Sequence, residues 1–278
     1  MTPLSHAPFT DAVRQQLLGA MDDMCYPPHP DRMVHDVRIA GKRVRAALKL
    51  LRPAMGEDAY ARENAAVRDL GRLFRERRDS HVALETLKGV RDDPAFAAAR
   101  ITTLCDTLQG EAQQAVAATP MDEAIDQVRD TLFTARRRIE ELELDTLRPG
   151  EAFRRLFKSC RKAYEAARDD PDTERLHEWR KRAKTLRYAL KALNDVWPKR
   201  VKCLCQALKD LGDLLGRDHD LALLAQRVGD DDQKAHIAAC RALVQKQAFE
   251  AAKAFYREKP GHAARRLGRH WKTWRTAA

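Results

Sequence analysis

The residues of this chain with the most chemistry to offer are cations set at helical intervals. His35, Arg38, Lys42, Arg45, Lys49 and Arg52 follow one another every three or four positions, and so do His177, Arg180, Lys184, Arg187 and Lys191. At 3.6 residues per turn each set falls within an arc of roughly 100°. Val37, Val44, Leu48 and Leu51 take the opposite face of the first segment, and Leu176, Trp179, Ala183, Leu186, Leu190 and Leu193 that of the second. One side is built to pack and the other to hold positive charge. Guanidinium groups fork onto phosphate oxygens while ammonium groups act as point charges, so a row of them suits a repeating anion better than one small phosphate. Arg38 to Arg45 extends about 10 Å along a helix axis.

A charged helix face is ordinarily just a solvated face, with Glu and Lys alternating at i,i+4. Here Arg38 stands four residues before Lys42, and Arg180 four before Lys184. Like charges so placed cost about 0.2–0.5 kcal/mol per pair, a choice stability alone does not favour. The two segments also share a register: His35-Asp-Val-Arg38-Ile-Ala-Gly-Lys42-Arg-Val-Arg45-Ala-Ala-Leu-Lys49 aligns without gaps on His177-Glu-Trp-Arg180-Lys-Arg-Ala-Lys184-Thr-Leu-Arg187-Tyr-Ala-Leu-Lys191. Leu70-Gly71 with Arg78-Asp79 recurs as Leu211-Gly212 with Arg217-Asp218. The pattern predicts an internal duplication, with halves at 1–147 and 148–278 related by a pseudo-two-fold. Two stripes brought together across that axis would focus their field into one basic cleft or pore. His35 and His177, at the stripe ends, would gain charge as pH falls or donate hydrogen bonds while neutral; a structural role at a core edge is the competing reading.

The elements that must position these stripes are helices. Only 12 Gly, 12 Pro and 6% aromatic residues in 278 is the composition of an all-α protein. Apolar periodicity and Pro, Gly and Asp breaks predict helices near 9–24, 31–52, 57–76, 79–91, 95–117 and 121–146, then 151–168, 173–196, 199–215, 218–228, 232–258 and 261–275. Asp79, Thr173 and Asp218 are expected as helix caps. The six cysteines lack paired C-x-x-C spacing and are expected as small buried apolar residues, with no metal site and no cofactor. A net charge of +11 draws the chain toward phosphate-rich partners or acidic surfaces. No signal-like leader and no run of about 18 apolar residues occurs, so the expectation is a soluble, cytoplasmic protein without membrane insertion.

The two aligned segments resemble the signatures of the CHAD family, the conserved histidine α-helical domains. The first is similar to H-x-x-R-x-x-x-[RK]-[RK]-x-R-x-x-L, and His177 to Leu190 follows H-E-W-R-K-R-x-K-x-L-R-Y-x-L almost letter for letter. The resemblance extends from about Thr10 to Trp274. It implies an all-helical fold of two bundles around a basic cleft or pore, inorganic polyphosphate as ligand, and residence on polyphosphate granules. Carried over by position, it implicates His35, Arg38, Lys42, Arg43 and Arg45, then His177, Arg180, Lys181, Lys184 and Arg187, with Tyr188 in support; the stripes add Lys49 and Lys191. Family members often carry Arg-Asp-x-Asp, present as Arg217-Asp-His-Asp220 but altered to Arg78-Asp-Ser-His81 in the first half. The E-x-E-x-K strand motif of the catalytic domain to which such proteins are often fused is missing.

Secondary basic clusters offer further anion contacts, Lys158 and Arg161 before the second stripe foremost. Arg136, Arg137 and Arg138 are expected to pair locally with Glu140, Glu141 and Glu143, and Trp271 and Trp274 to belong to the core. The protein is expected to bind rather than catalyse. The rival partner is nucleic acid, which would need aromatic or amide side chains to read bases. The rival activity is a metal-dependent phosphohydrolase or metal chelator using His35, His81, His177 and His219 with Asp79, Asp218 and Asp220, though no H-x-x-x-H spacing or Gly-rich phosphate loop supports it.

Overall fold

The computed structural model describes residues 9–26, 33–90, 98–118, 121–144, 148–191, 194 and 197–277. Among them are eleven helices and no strand: α1 (Phe9–Cys25), α2 (Met33–Met55), α3 (Glu57–Leu73), α4 (Arg75–Val90), α5 (Ala98–Ala117), α6 (Met121–Glu141), α7 (Pro149–Asp169), α8 (Thr173–Lys191), α9 (Pro198–Ala225), α10 (Asp231–Phe255) and α11 (Pro260–Ala277). The all-α expectation holds. The two basic stripes lie on α2 and α8, with Val37, Val44, Leu48 and Leu51 beneath one and Leu176, Trp179, Ala183, Leu186 and Leu190 beneath the other, all buried. Leu193 lies outside the described residues.

One boundary expectation fails for a chemical reason. The segments 199–215 and 218–228 form a single helix, α9, which passes through Gly216 and Asp218 without a break. Asp218 therefore caps nothing. Its carboxylate, 2% exposed, accepts hydrogen bonds from Arg241 Nε at 3.0 Å and Gln245 Nε2 at 2.8 Å, tying α9 to α10. Asp79 likewise sits inside α4. At α8 the cap is Asp172 rather than Thr173: its Oδ1 accepts from the Arg175 amide at 2.7 Å, while Thr173 Oγ1 accepts from Arg241. Between α2 and α3 the chain turns on one residue, Gly56, whose φ of 78° favours glycine.

The halves do not fold around separate cores. A single apolar cluster joins Leu17, Leu48 and Leu51 of the first half to Trp179, Leu186 and Phe157 of the second. Trp179 alone, fully buried, stabilises this layer by about 3–5 kcal/mol relative to alanine. A smaller cluster packs Leu87 and Leu108, on α4 and α5, against Leu221, Leu224 and Ile237, on α9 and α10. The halves thus meet along two seams, α2 on α8 and α4 on α9.

Trp271 belongs to the core, edge-on to Phe9 at 5.2 Å; the Trp274 side chain lies outside the described residues. Arg136 and Arg137 pair with Glu140 and Glu141 as expected. Arg138 instead reaches α3, where both oxygens of Glu63, 1% exposed, accept from it at 2.8 and 2.9 Å. Of the cysteines only Cys160 is fully buried; Cys203 is exposed and the rest are partly covered. Among the described residues no helix is long and apolar enough to cross a membrane.

Candidate polyanion-binding groove

Between the two seams lies a groove of about 520 Å³, walled by α2, α3, α4, α8 and α9. Its described lining brings Arg38, Lys42 and Arg45 of the first stripe to His177 and Arg180 of the second. Arg68, Arg72 and Arg75 complete it from α3 and α4, giving seven Lys and Arg side chains against one lining carboxylate, Asp79. The three arginines were not anticipated, although their spacing of four and three is the same helical signal that marked the stripes. His219 was anticipated only as a metal ligand, and it stands at the same wall.

Two of the seven cations, Arg68 and Arg72, pair with the exposed Asp69 of α3 at 3.1 and 2.8 Å, while Arg45 and Arg38 meet neutral acceptors. Arg45 Nε donates to Asn64 Oδ1 at 3.0 Å, and burial together with nearby Arg68 lowers its pKa. Arg38 reaches the Gly71 carbonyl at 3.4 Å. On α9 two glycines make room for the second stripe. A Cβ at Gly216 would stand 3.5 Å from Arg180 Nε, and one at Gly212 3.8 Å from Lys184 Cε. That register shows α8 and α9 running antiparallel, with side chains of the stripe lying across α9.

His177 and His219 face each other with ring centroids 4.2 Å apart. Burial first, then His219, Lys181 and Arg180, push the His177 pKa down to about 4. Of the two roles expected of this ring, the lowered pKa favours the neutral one: between pH 5 and 8 it is a hydrogen-bond donor and acceptor rather than a cation. Among the described residues no three His, Cys, Asp or Glu side chains gather as metal ligands would.

The remaining expected residues are distributed along α8 or away from the groove. Lys184 joins Arg180 in an adjoining cavity of about 500 Å³, and Arg187 and Lys191 line a third further along α8. Lys49 is tucked into the crossing of α2 and α8, its amine 3.5 Å from Thr185 Oγ1. Three positions point elsewhere. His35 is exposed in the first turn of α2, Arg43 pairs with Asp23, and Lys181 pairs with Glu178 at 2.8 Å. Arg43 and Lys181 fall one helical step off the stripe's midline, which turns them toward neighbouring carboxylates, while His35 sits at the stripe's edge in the helix's first turn. Lys158 is exposed on α7 and Arg161 pairs with Glu165; neither lines any of the three cavities.

The structure is an all-helical domain with a cation-walled groove between its two halves. Comparison with known proteins makes the class specific: the CHAD domain model matches residues 11–229, and the chain belongs to the CHAD family, a family linked to polyphosphate binding. The match ends before α10 and α11, short of the extent the sequence resemblance suggested. Two solved structures share the fold over nearly the whole chain. The CHAD domain from the plant Ricinus communis has a TM-score of 0.55 at 20% identity, covering 95% of this chain and 93% of its own. PptA from Streptomyces chartreusis has 0.64 at 15%, covering 97% and 95%. No curated protein matches the sequence.

Proposed function

We propose that this protein binds linear inorganic polyphosphate in the groove between its halves, and serves to target or organise polyphosphate granules in the cytoplasm rather than to catalyse a reaction. The observation that carries the reading is the composition of that wall: seven Lys and Arg side chains from four helices of both halves converge on one space with a single lining carboxylate. Arginine forks and lysine point charges match phosphoryl oxygens without reading a base or a sugar. The aromatic stacking platforms by which single-stranded nucleic acid is held have no counterpart in the described lining, where the rings are His177 and His219, tilted 34° to each other. Of the groups a phosphohydrolase would need, Asp79, His177 and His219 line the groove, but among the described residues they do not gather as metal ligands would. Asp218 is committed to Arg241 and Gln245, and His35 and His81 stand exposed, outside the groove lining.

The test is charge reversal at Arg38, Lys42, Arg180 and Lys184 together. Long-chain polyphosphate binding should weaken by about two orders of magnitude or more while far-ultraviolet circular dichroism stays unchanged. The log of the wild-type binding constant should fall steeply with log salt, roughly 0.7–0.9 per phosphate contact. Polyphosphate should displace single-stranded RNA at equal phosphate concentration. A folded variant with unaltered affinity, or RNA retained against polyphosphate, would refute the reading.

A further inference from the structure

The largest of the three cavities, about 830 Å³, lies where the end of α8 meets the start of α9, outside the groove just described. Its cations are Arg187 and Lys191 of α8 and Lys199, Lys202 and Lys209 of α9, and no carboxylate stands among its described lining. The α8 pair is set in place by an aromatic ring. The Arg187 guanidinium carbon lies 5.0 Å from the Tyr188 ring centre and the Lys191 amine 5.9 Å, contacts that hold a cation without neutralising it. The first turn of α9 opens here as well. Trp197 is its N-cap with no side-chain hydrogen bond, and Pro198 follows, so the helix's positive end adds to the same field.

This cavity is not isolated from the groove. Arg180 lines both the groove and the adjoining cavity, Lys184 continues that second cavity above Gly212, and Arg187 and Lys191 extend the row into the third. All four lie within roughly 60° of one another around α8, and Arg180 to Lys191 covers about 16 Å of its axis. A ligand confined to the groove meets only the first of these cations. A chain emerging along α8 meets them in order.

We propose that the cavity at the start of α9 is a second station for the same polyphosphate chain, so that the protein discriminates its ligand by length. The inference rests on the groove as the first station. A chain long enough to leave the groove and follow α8 engages the second station intramolecularly, at a high effective concentration. A short chain occupies one station at a time.

The experiment is a calorimetric titration with tripolyphosphate and with long-chain polyphosphate, compared at equal phosphate concentration, on the wild type and the Lys199→Glu/Lys202→Glu variant. Both lysines are exposed, and a carboxylate at position 199 suits the first turn of a helix, so the variant should fold. Long-chain affinity should fall about tenfold while tripolyphosphate affinity stays within about twofold. Equal losses for both ligands would make these lysines part of the first site, and no loss for either would remove the second station; either result overturns the proposal. The Lys199→Ala/Lys202→Ala variant should show the same length-selective loss, smaller in size, and a loss equal for both ligands there would count the same way. Arg38→Glu/Lys42→Glu separates the two readings. It should weaken both ligands, and if it weakens neither the groove itself fails, a result distinct from any outcome at α9.

Discussion

Lys49 lies on the basic stripe of α2, yet the fold presses it into the crossing of α2 and α8, where a charge is expensive. Burial first, then the like charges of Arg45, Arg182 and Lys181, lower its pKa from 10.5 to about 8, with Glu178 opposing. A tenfold change in a protonation equilibrium corresponds to about 1.36 kcal/mol, so the charged form is disfavoured by about 3 kcal/mol at most. The side chain is only partly enclosed, and solvent screening reduces this to about 1–2 kcal/mol. Its bond to Thr185, at 3.5 Å, returns little. Lys49→Met keeps the stem's packing and removes the charge, so it should stabilise the protein by about 1–2 kcal/mol at pH 7. The sign of the pH dependence follows. Between pH 8 and 10.5 the unfolded chain holds the proton that the folded chain has released, so Lys49 makes wild-type stability rise across that window and leaves the variant without this increment. Urea unfolding followed at pH 7, 9 and 10.5 measures this directly. The advantage of Lys49→Met should be largest at pH 7 and shrink toward zero at the highest pH. A variant less stable at pH 7, or a difference that does not narrow, would refute the account.

Two further outcomes follow from buried contacts. Asp218→Ala should cost about 3–5 kcal/mol in urea unfolding, because it strands Arg241 at the α9–α10 contact; a loss under about 1 kcal/mol would show that Arg241 finds water instead. Gly150→Ala should lower the melting temperature with a cost of about 1–3 kcal/mol, since its Cβ would stand 2.6 Å from the Ala264 carbonyl oxygen where α7 meets α11, and an unchanged melting curve would mean the two helices separate freely.

Much of the site was legible because its message is periodic. The i,i+3 and i,i+4 spacing that placed Val37, Val44, Trp179 and Leu186 inside also placed Arg38, Lys42, Arg45 and Arg180 on the groove wall. The same rule fails where a residue's partner is distant in sequence. Gly216 and Asp218 read locally as a break between helices, but Gly216 is small because Arg180 crosses over it, and Asp218 is acidic because Arg241 lies behind it. Arg138 shows the same limit, since its partner lies on α3 rather than on the next turn. Arg43 and Lys181 mark how coarse helical periodicity is in angle: one step in sequence is about 100° around a helix, enough to carry a cation from the groove to a solvent-side carboxylate.

The groove exists because two seams hold the halves together on either side of it. A row of cations on one helix repels itself weakly in water; seven lining one space add to that repulsion. Burial of the apolar cluster shared by both halves at one seam and of Leu87, Leu108 and Leu224 at the other offsets that repulsion. The placement of apolar and basic residues on opposite faces of α2 and α8 is therefore one device, in which each helix stabilises the seam with one side and charges the groove with the other. A polyanion bound across the groove as proposed would neutralise the repulsion without loosening either seam, and at a hundredfold excess over its dissociation constant would stabilise the whole fold by about 2.7 kcal/mol. Binding energy and folding energy would then be coupled, because the residues that supply them share the same two helices.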